Sequence, residues 1–201
     1  EFVEKVTNRA HEEGYEVMIA LAPKISANQQ GLLYEAHDYR RLGDIVDWAL
    51  IMTYEWGYTY GPPMAVAPYN SVRDVLDYAV TDIDPEKIRL GVPNYGYNWV
   101  LPFVQGESRA TVVGNVGAVN LARDENVAIE FDEEARAPFF TFYDEDRREH
   151  IVWFEDARSI DAKLRLIEEY GLNGASYWTI MREFPQNWLV VISLYNIIKL
   201  I

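Results

Sequence analysis

Apolar residues recur along this chain at two alternating spacings. Val3, Val6 and Ala10 stand three and four apart, the repeat of one helix face, and Gly14 follows where a left-handed residue can close the helix. Tyr15 to Ala22 is a short apolar run stopped by Pro23, the mark of a buried strand. After a polar loop from Ser26 to Gly31, Tyr34 to Leu42 predicts a short helix and Val46 to Tyr54 a second strand. Ser71, with Asp74 three residues on, predicts a capped helix whose apolar face is Val72, Val75, Leu76, Ala79 and Val80. Asp84-Pro85 marks a turn, and Ile88 to Pro93 is a third strand. Alternation of helices and strands implies a parallel sheet.

That order changes after Trp99. Residues 100–155 predict an α+β insertion with a helix around Val116 to Arg123. A hairpin follows, with strands Phe139 to Tyr143 and His150 to Phe154 and a charged turn between them. Asp156 can cap a helix from Ala157 to Tyr170, which Gly171 ends, and Gly174 to Thr179 is a fourth strand. The closing run from Trp188 to Ile201 is rich in Leu, Val and Ile, too short to span a bilayer at about 20 residues, and is read as a core segment.

Composition narrows the chemistry. With 49% hydrophobic residues in 201, a sizeable core is expected. A net charge of −14 disfavours nucleic acid or an anionic membrane as partner, whereas a neutral polymer is compatible. There are no cysteines, so thiol chemistry is excluded, and the three histidines are scattered without ligand spacing, so neither a metal nor another cofactor is expected. No phosphate-cradling or dinucleotide fingerprint is present. The chain opens at Glu1 inside a helical pattern, which predicts that the natural protein begins upstream.

The strongest functional signal is at the strand ends. Met52-Thr53-Tyr54-Glu55-Trp56-Gly57-Tyr58 ends the second strand, Gly91-Val92-Pro93-Asn94-Tyr95-Gly96-Tyr97 the third, and Gly174-Ala175-Ser176-Tyr177-Trp178 the fourth. In parallel α/β barrels the C-terminal strand ends build the active site. Aromatic, acidic, histidine-poor strand ends suit a sugar ring better than a phosphate or a metal.

With Leu50 to Tyr58, Gly61-Pro62-Pro63, Gly91 to Tyr97, Ile151-Val152-Trp153-Phe154-Glu155-Asp156, Ser176-Tyr177-Trp178 and Phe184-Pro185-Gln186-Asn187-Trp188, the chain resembles glycoside hydrolase family 18, the chitinase-like family. The likeness is closest to its bacterial spore and cell-wall branch. It implies the C-terminal half, strands five to eight, of a (β/α)8 barrel of TIM type. Residues 1–99 and 156–201 would form the partial barrel, and 100–155 the insertion after strand seven. It further implies a retaining hydrolase of β-1,4-linked N-acetylglucosamine polymers, chitin-type or peptidoglycan, acting outside the cell at the wall or spore. In such enzymes the substrate's own acetamide is the nucleophile.

The resemblance assigns roles residue by residue. Tyr54 would donate to the acetamide oxygen. Glu55, where many family members have Asp, would bond a sugar hydroxyl or brace the site. Met52 would pack under the acetamide methyl, and Trp178 would floor the sugar subsite. Tyr95 and Tyr97 would bond substrate or support the wall, Tyr97 standing where the family often has arginine, and Trp56 would line an outer subsite. The family's Asp-x-x-Asp-x-Asp-x-Glu signature, which carries the general acid, does not occur in these residues, so the isolated chain is expected to be inactive. The alternatives are a chitinase-like glycan-binding protein that does not cleave, or a structural module. Exposed strand edges of half a barrel also predict self-association.

Overall fold

A computed structural model describes residues 1–198. Its elements follow the alternation. Helix α1 spans Phe2–Glu12, strand β1 Met18–Leu21, helix α2 Tyr39–Ile45, strand β2 Trp48–Ile51, helix α3 Tyr69–Asp82 and strand β3 Ile88–Pro93. Strands β4 (Tyr95–Val100) and β5 (Thr111–Gly114) precede helix α4 (Asn115–Asp124) and strands β6 (Glu130–Asp132), β7 (Ala137–Tyr143) and β8 (Glu149–Trp153). Helix α5 (Ala157–Tyr170), strand β9 (Gly174–Trp178) and helix α6 (Pro185–Leu194) complete it.

The strands form a four-stranded sheet ordered β1-β2-β3-β9 and a five-stranded sheet ordered β5-β4-β8-β7-β6. In the first, β1 to β2 and β2 to β3 pair in parallel. In the second, each pair is antiparallel. The chain divides into two compact units. The first comprises Glu1–Thr53, Ser71–Val92 and Arg165–Ser176, and the second Tyr54–Asn70, Pro93–Leu164 and the residues from Tyr177 onward.

In the first unit, Leu21, Ala49, Ile51, Ile88 and Leu90 are fully buried, as are Val75, Leu76 and Ala79 of α3. Burial is nearly continuous only along β3; β2 alternates buried with half-buried residues, and in β1 only Leu21 is buried. In the second unit, Phe140, Phe142, Val152 and Phe154 meet Ala118 and Ala122 of α4 on one face of the antiparallel sheet. Helix α5 is capped as expected, Asp156 Oδ1 accepting from the amides of Arg158 and Ser159 at 2.9 and 3.0 Å. At its base Lys163 and Glu155 form an ion pair of 2.8 Å with both side chains buried.

Several boundaries differ from the sequence expectation. Helix α2 begins at Tyr39, not Tyr34, because Asp38 caps it by accepting from the Arg41 amide while the preceding residues make turns. Helix α3 begins at Tyr69, so Ser71 lies inside it. Pro68 precedes the first turn and the Tyr69 amide donates to Ala135 O, a tertiary contact that sets the start. The antiparallel sheet already includes Tyr95–Val100, ahead of the residue-100 start read for the insertion, because β4 pairs with both β5 and β8. Finally, α6 leaves Trp188, Leu189 and Ile192 exposed, since a helix apolar on all sides cannot bury them all against one neighbour. Residues 199–201 of that closing run lie outside the described residues.

Candidate active site

The site is assembled where the chain leaves three strands. Beyond β2, the Trp56 amide donates to Val66 O and the Gly57 amide to Ala65 O, both at 3.0 Å, zipping the loop into a narrow ribbon. Only glycine fits at position 57, since a Cβ there would stand 2.1 Å from Met64 O. Glu55 enters this ribbon with φ of 71°. A left-handed glutamate costs on the order of 1–3 kcal/mol and persists where its surroundings hold it. Here the holders are two phenols: Tyr95 and Tyr97 both donate their hydroxyls to Glu55 Oε1, the second at 2.9 Å.

Those phenols come from one face of β4. Residues two apart in a strand share a side, so Tyr95, Tyr97 and Trp99 stack as a column. Their ring centres are 5.8 and 5.6 Å apart, and the Trp99 indole donates to Gly61 O at 2.8 Å. Val66 and Ala110 close the column, and Tyr54 packs against it half-buried. The electrostatics keep these hydroxyls protonated. Burial, reinforced by the Glu55 charge, pushes the Tyr97 phenol up to about 12 and the Tyr95 phenol higher still. Burial and then Glu55 raise Tyr54 as well. A protonated phenol is a hydrogen-bond donor.

Strand β9 delivers Trp178, which is 59% exposed. The Trp178–Thr179 peptide is cis. Asn94, between β3 and β4, grips this segment. Its Nδ2 donates to Thr179 O at 2.6 Å, its Oδ1 accepts from the Thr179 amide at 2.7 Å, and its own amide donates to Trp178 O at 3.2 Å. The sequence gives Asn94 no role, although it interrupts the apolar stretch between Pro93 and Tyr95. That interruption was the available signal, but its partner lies 85 positions away.

Glu55, Tyr95, Tyr97 and Trp178 line one cleft of about 200 Å³, together with Val112, Thr179 and Arg182. Other hollows in the same unit, of about 230 and 390 Å³, have larger volumes. The smaller cleft stands out because a carboxylate, two phenols, an indole and a guanidinium converge on it. Of the remaining sequence candidates, Tyr54 adjoins the aromatic column, Trp56 is half-buried in the loop, and neither lines the cleft. Met52 is half-buried in the first unit, its amide bonded to Leu21 O at 2.9 Å. Arg182 and Val112 were not among the site residues expected from the sequence.

Comparison with known proteins places the chain in a family. The sequence profile of Glycosyl hydrolases family 18 matches residues 1–183. The chain is similar to the cortical fragment-lytic enzyme of Bacillus subtilis (strain 168), 49% identical over 199 residues that make up 99% of this chain and 46% of that protein. It is also similar to the crystal structure of the Bacillus cereus spore cortex-lytic enzyme SleL, with a TM-score of 0.94 and 47% identity over 98% of this chain and 46% of the other. A chitinase from Chromobacterium violaceum ATCC 12472 gives a TM-score of 0.87 at 25% identity, over 95% of this chain and 59% of the other. The chain therefore spans about half the length of the curated relatives it matches, and its four-stranded sheet is part of an unclosed (β/α) barrel of the chitinase-like type.

Proposed function

Because this chain belongs to family 18 of the glycosyl hydrolases, we propose that it supplies the sugar-binding wall of a retaining glycosidase. The enzyme cleaves β-1,4-linked N-acetylglucosamine polymers of the cell wall, spore cortex peptidoglycan in the first place. What carries this reading is the convergence of Glu55, Tyr95, Tyr97 and Trp178 on one cleft. The C–H face of a pyranose packs on the exposed indole of Trp178. Glu55, its orientation fixed by two phenols, accepts from a sugar hydroxyl or acetamide N–H with its remaining lone pairs. Tyr54 donates to the acetamide oxygen as that oxygen attacks the anomeric carbon, a preorganised contact worth about 3 kcal/mol in the transition state. Trp56, on the same loop as Glu55, lines an outer subsite in the parent protein.

The proton donor of the reaction belongs to the Asp-x-x-Asp-x-Asp-x-Glu segment, which these residues do not contain. We therefore expect the chain alone to bind glycan without turning it over, and the parent protein to act at the spore or wall. Titration with N-acetylglucosamine oligomers, followed by tryptophan fluorescence, tests the binding. Roughly 100 Å² of accessible indole at about 25 cal/mol per Å² gives about 2.5 kcal/mol for a stacked sugar, so Trp178→Ala should weaken binding about 70-fold. Unchanged affinity in that variant, or hydrolysis by the pure chain, would contradict the proposal.

A further inference from the structure

Helix α4 leaves Val116 and Val119, three positions apart on one face, exposed. Both line a hollow of about 230 Å³ whose other walls include Phe184 and Pro185, where α6 begins. The hollow lies on the α4 side of the antiparallel sheet, where Val152 and Phe154 pack, whereas Tyr95, Tyr97 and Trp99 stack on the other side. It shares no lining residue with the sugar cleft.

Two polar side chains in its lining, Asn115 and Glu155, are only 2% and 1% exposed. Asn115 Oδ1 accepts from the Glu155 amide at 3.0 Å, which leaves Nδ2 as the remaining donor. Glu155 Oε2 accepts from Lys163 at 2.8 Å, and the nearby Ser159 hydroxyl donates to Asp156 O instead. Among the described residues, neither Asn115 Nδ2 nor Glu155 Oε1 has a partner. Other buried atoms share that condition. However, Thr7 Oγ1 and Trp153 Nε1 line none of the hollows above, and the Tyr177 hydroxyl and Asn187 Oδ1 adjoin each other as donor and acceptor.

Asn115 and Glu155 thus set an unmet donor and an unmet carboxylate oxygen at one apolar hollow. Interiors rarely leave such atoms unmet, because each is costly. Apolar walls with a few placed polar groups are also the make-up of small-molecule sites. The volume has room for several water-sized groups at about 30 Å³ each. A ligand with one N–H, one C=O and little else polar meets both atoms. A phosphate or free carboxylate is repelled by Glu155, and a sugar would set further hydroxyls against valine, phenylalanine and proline.

We propose that this hollow binds a secondary amide carried on a short aliphatic chain, as a peptide of small residues presents. The amide N–H donates to Glu155 Oε1, its C=O accepts from Asn115 Nδ2, and its alkyl groups cover Val116 and Val119. The inference is independent of the sugar-binding reading of the cleft.

The test titrates the parent protein with N-methylbutanamide and with its ester counterpart, methyl butanoate, following the methyl resonances of Val116 and Val119. The ester keeps the carbonyl, loses the N–H and is the more apolar, so a hollow that is merely greasy prefers it. The expected Kd for the amide is about 1 mM, ordinary for so small a ligand, with the ester at least about tenfold weaker. Asn115→Asp keeps the acceptor for the Glu155 amide and removes the donor, and should weaken the amide about tenfold. Val119→Trp, at an exposed helix position, fills the hollow and should abolish the Val116 shifts while the cooperative melt is kept. An ester that binds as well as the amide, an unchanged amide affinity in Asn115→Asp, or no shift with either ligand at about 20 mM overturns the inference. So does the methyl glycoside of N-acetylglucosamine if it shifts the same methyls at lower concentration than the amide. The amide-to-ester ratio needs no variant, so it decides the matter even where a variant fails to fold.

Discussion

Replacing Asn94 by leucine tests whether the indole platform is held by a side chain from a different strand. The substitution keeps volume and branching and removes both the donor and the acceptor. It breaks the bonds of 2.6 and 2.7 Å to Thr179 O and N and spares the backbone bond to Trp178 O. An unsatisfied buried polar group costs about 1–3 kcal/mol. Asn94 is itself 6% exposed, but Thr179 is only half-buried, so water recovers part of the loss. The lower end for each group gives about 2 kcal/mol in all, a fall in Tm of about 4–8 °C for a domain of this size. Thermal melts and urea titration measure the cost. The assigned indole N–H resonance of Trp178 reports whether the ring has moved, and the fluorescence titration whether sugar binding follows it. If stability stays within about 0.5 kcal/mol and the Trp178 resonance is unshifted, the grip assigned to Asn94 is wrong.

Other consequences follow from buried charge, titration and close backbone approach. Lys163→Met leaves Glu155 buried without its cation and should cost about 3–5 kcal/mol at neutral pH, with Glu155→Gln in the same chain restoring part of it. Burial already raises the Glu155 carboxyl above its ordinary 4.5, and removing Lys163 raises it further. The folded variant then holds its proton more tightly than the unfolded chain does, so the penalty in urea titrations should be smaller at pH 4 than at pH 7. Asp144 behaves oppositely. Chiefly because the Arg148 amide bonds it, its carboxyl falls from 3.8 to about 2, so its support of the β7–β8 turn is complete above about pH 4 and is lost as pH drops through about 2. Exchange protection of the Arg148 amide should follow that window and lose its pH dependence in Asp144→Asn. A methyl on Gly96 would lie 2.1 Å from Trp153 O and 2.7 Å from Phe154 Cα, so Gly96→Ala should cost more than about 3 kcal/mol or prevent folding, read as loss of soluble protein or of the cooperative melt.

The periodic elements were legible because each is dictated by its own residues. Of the apolar stripe Val72, Val75, Leu76, Ala79 and Val80, all but the half-buried Val80 are buried, Asp156 caps α5, and Gly171 ends it with φ of 66°. The strand-end aromatics were legible for the same reason, since Tyr95 and Tyr97 two apart must share a face whatever else the chain does. Boundaries governed by distant partners were not. The start of α3 depends on Ala135, and the early start of the antiparallel sheet depends on β8 pairing with β4. The places of Asn94 and Arg182 were not legible, because each meets a group that the chain brings near through the fold and not through sequence proximity.

Taken by themselves, the residues determined the chemistry on offer: phenols, an indole and a carboxylate at the ends of parallel strands, with no thiol among them. Tertiary structure decided which of these share a cleft, because side-chain direction at a strand end depends on backbone angles such as the left-handed turn at Glu55 and on contacts tens of residues away. Hydrophobic period is a property of neighbours a few positions apart, whereas a binding site is a property of neighbours in space.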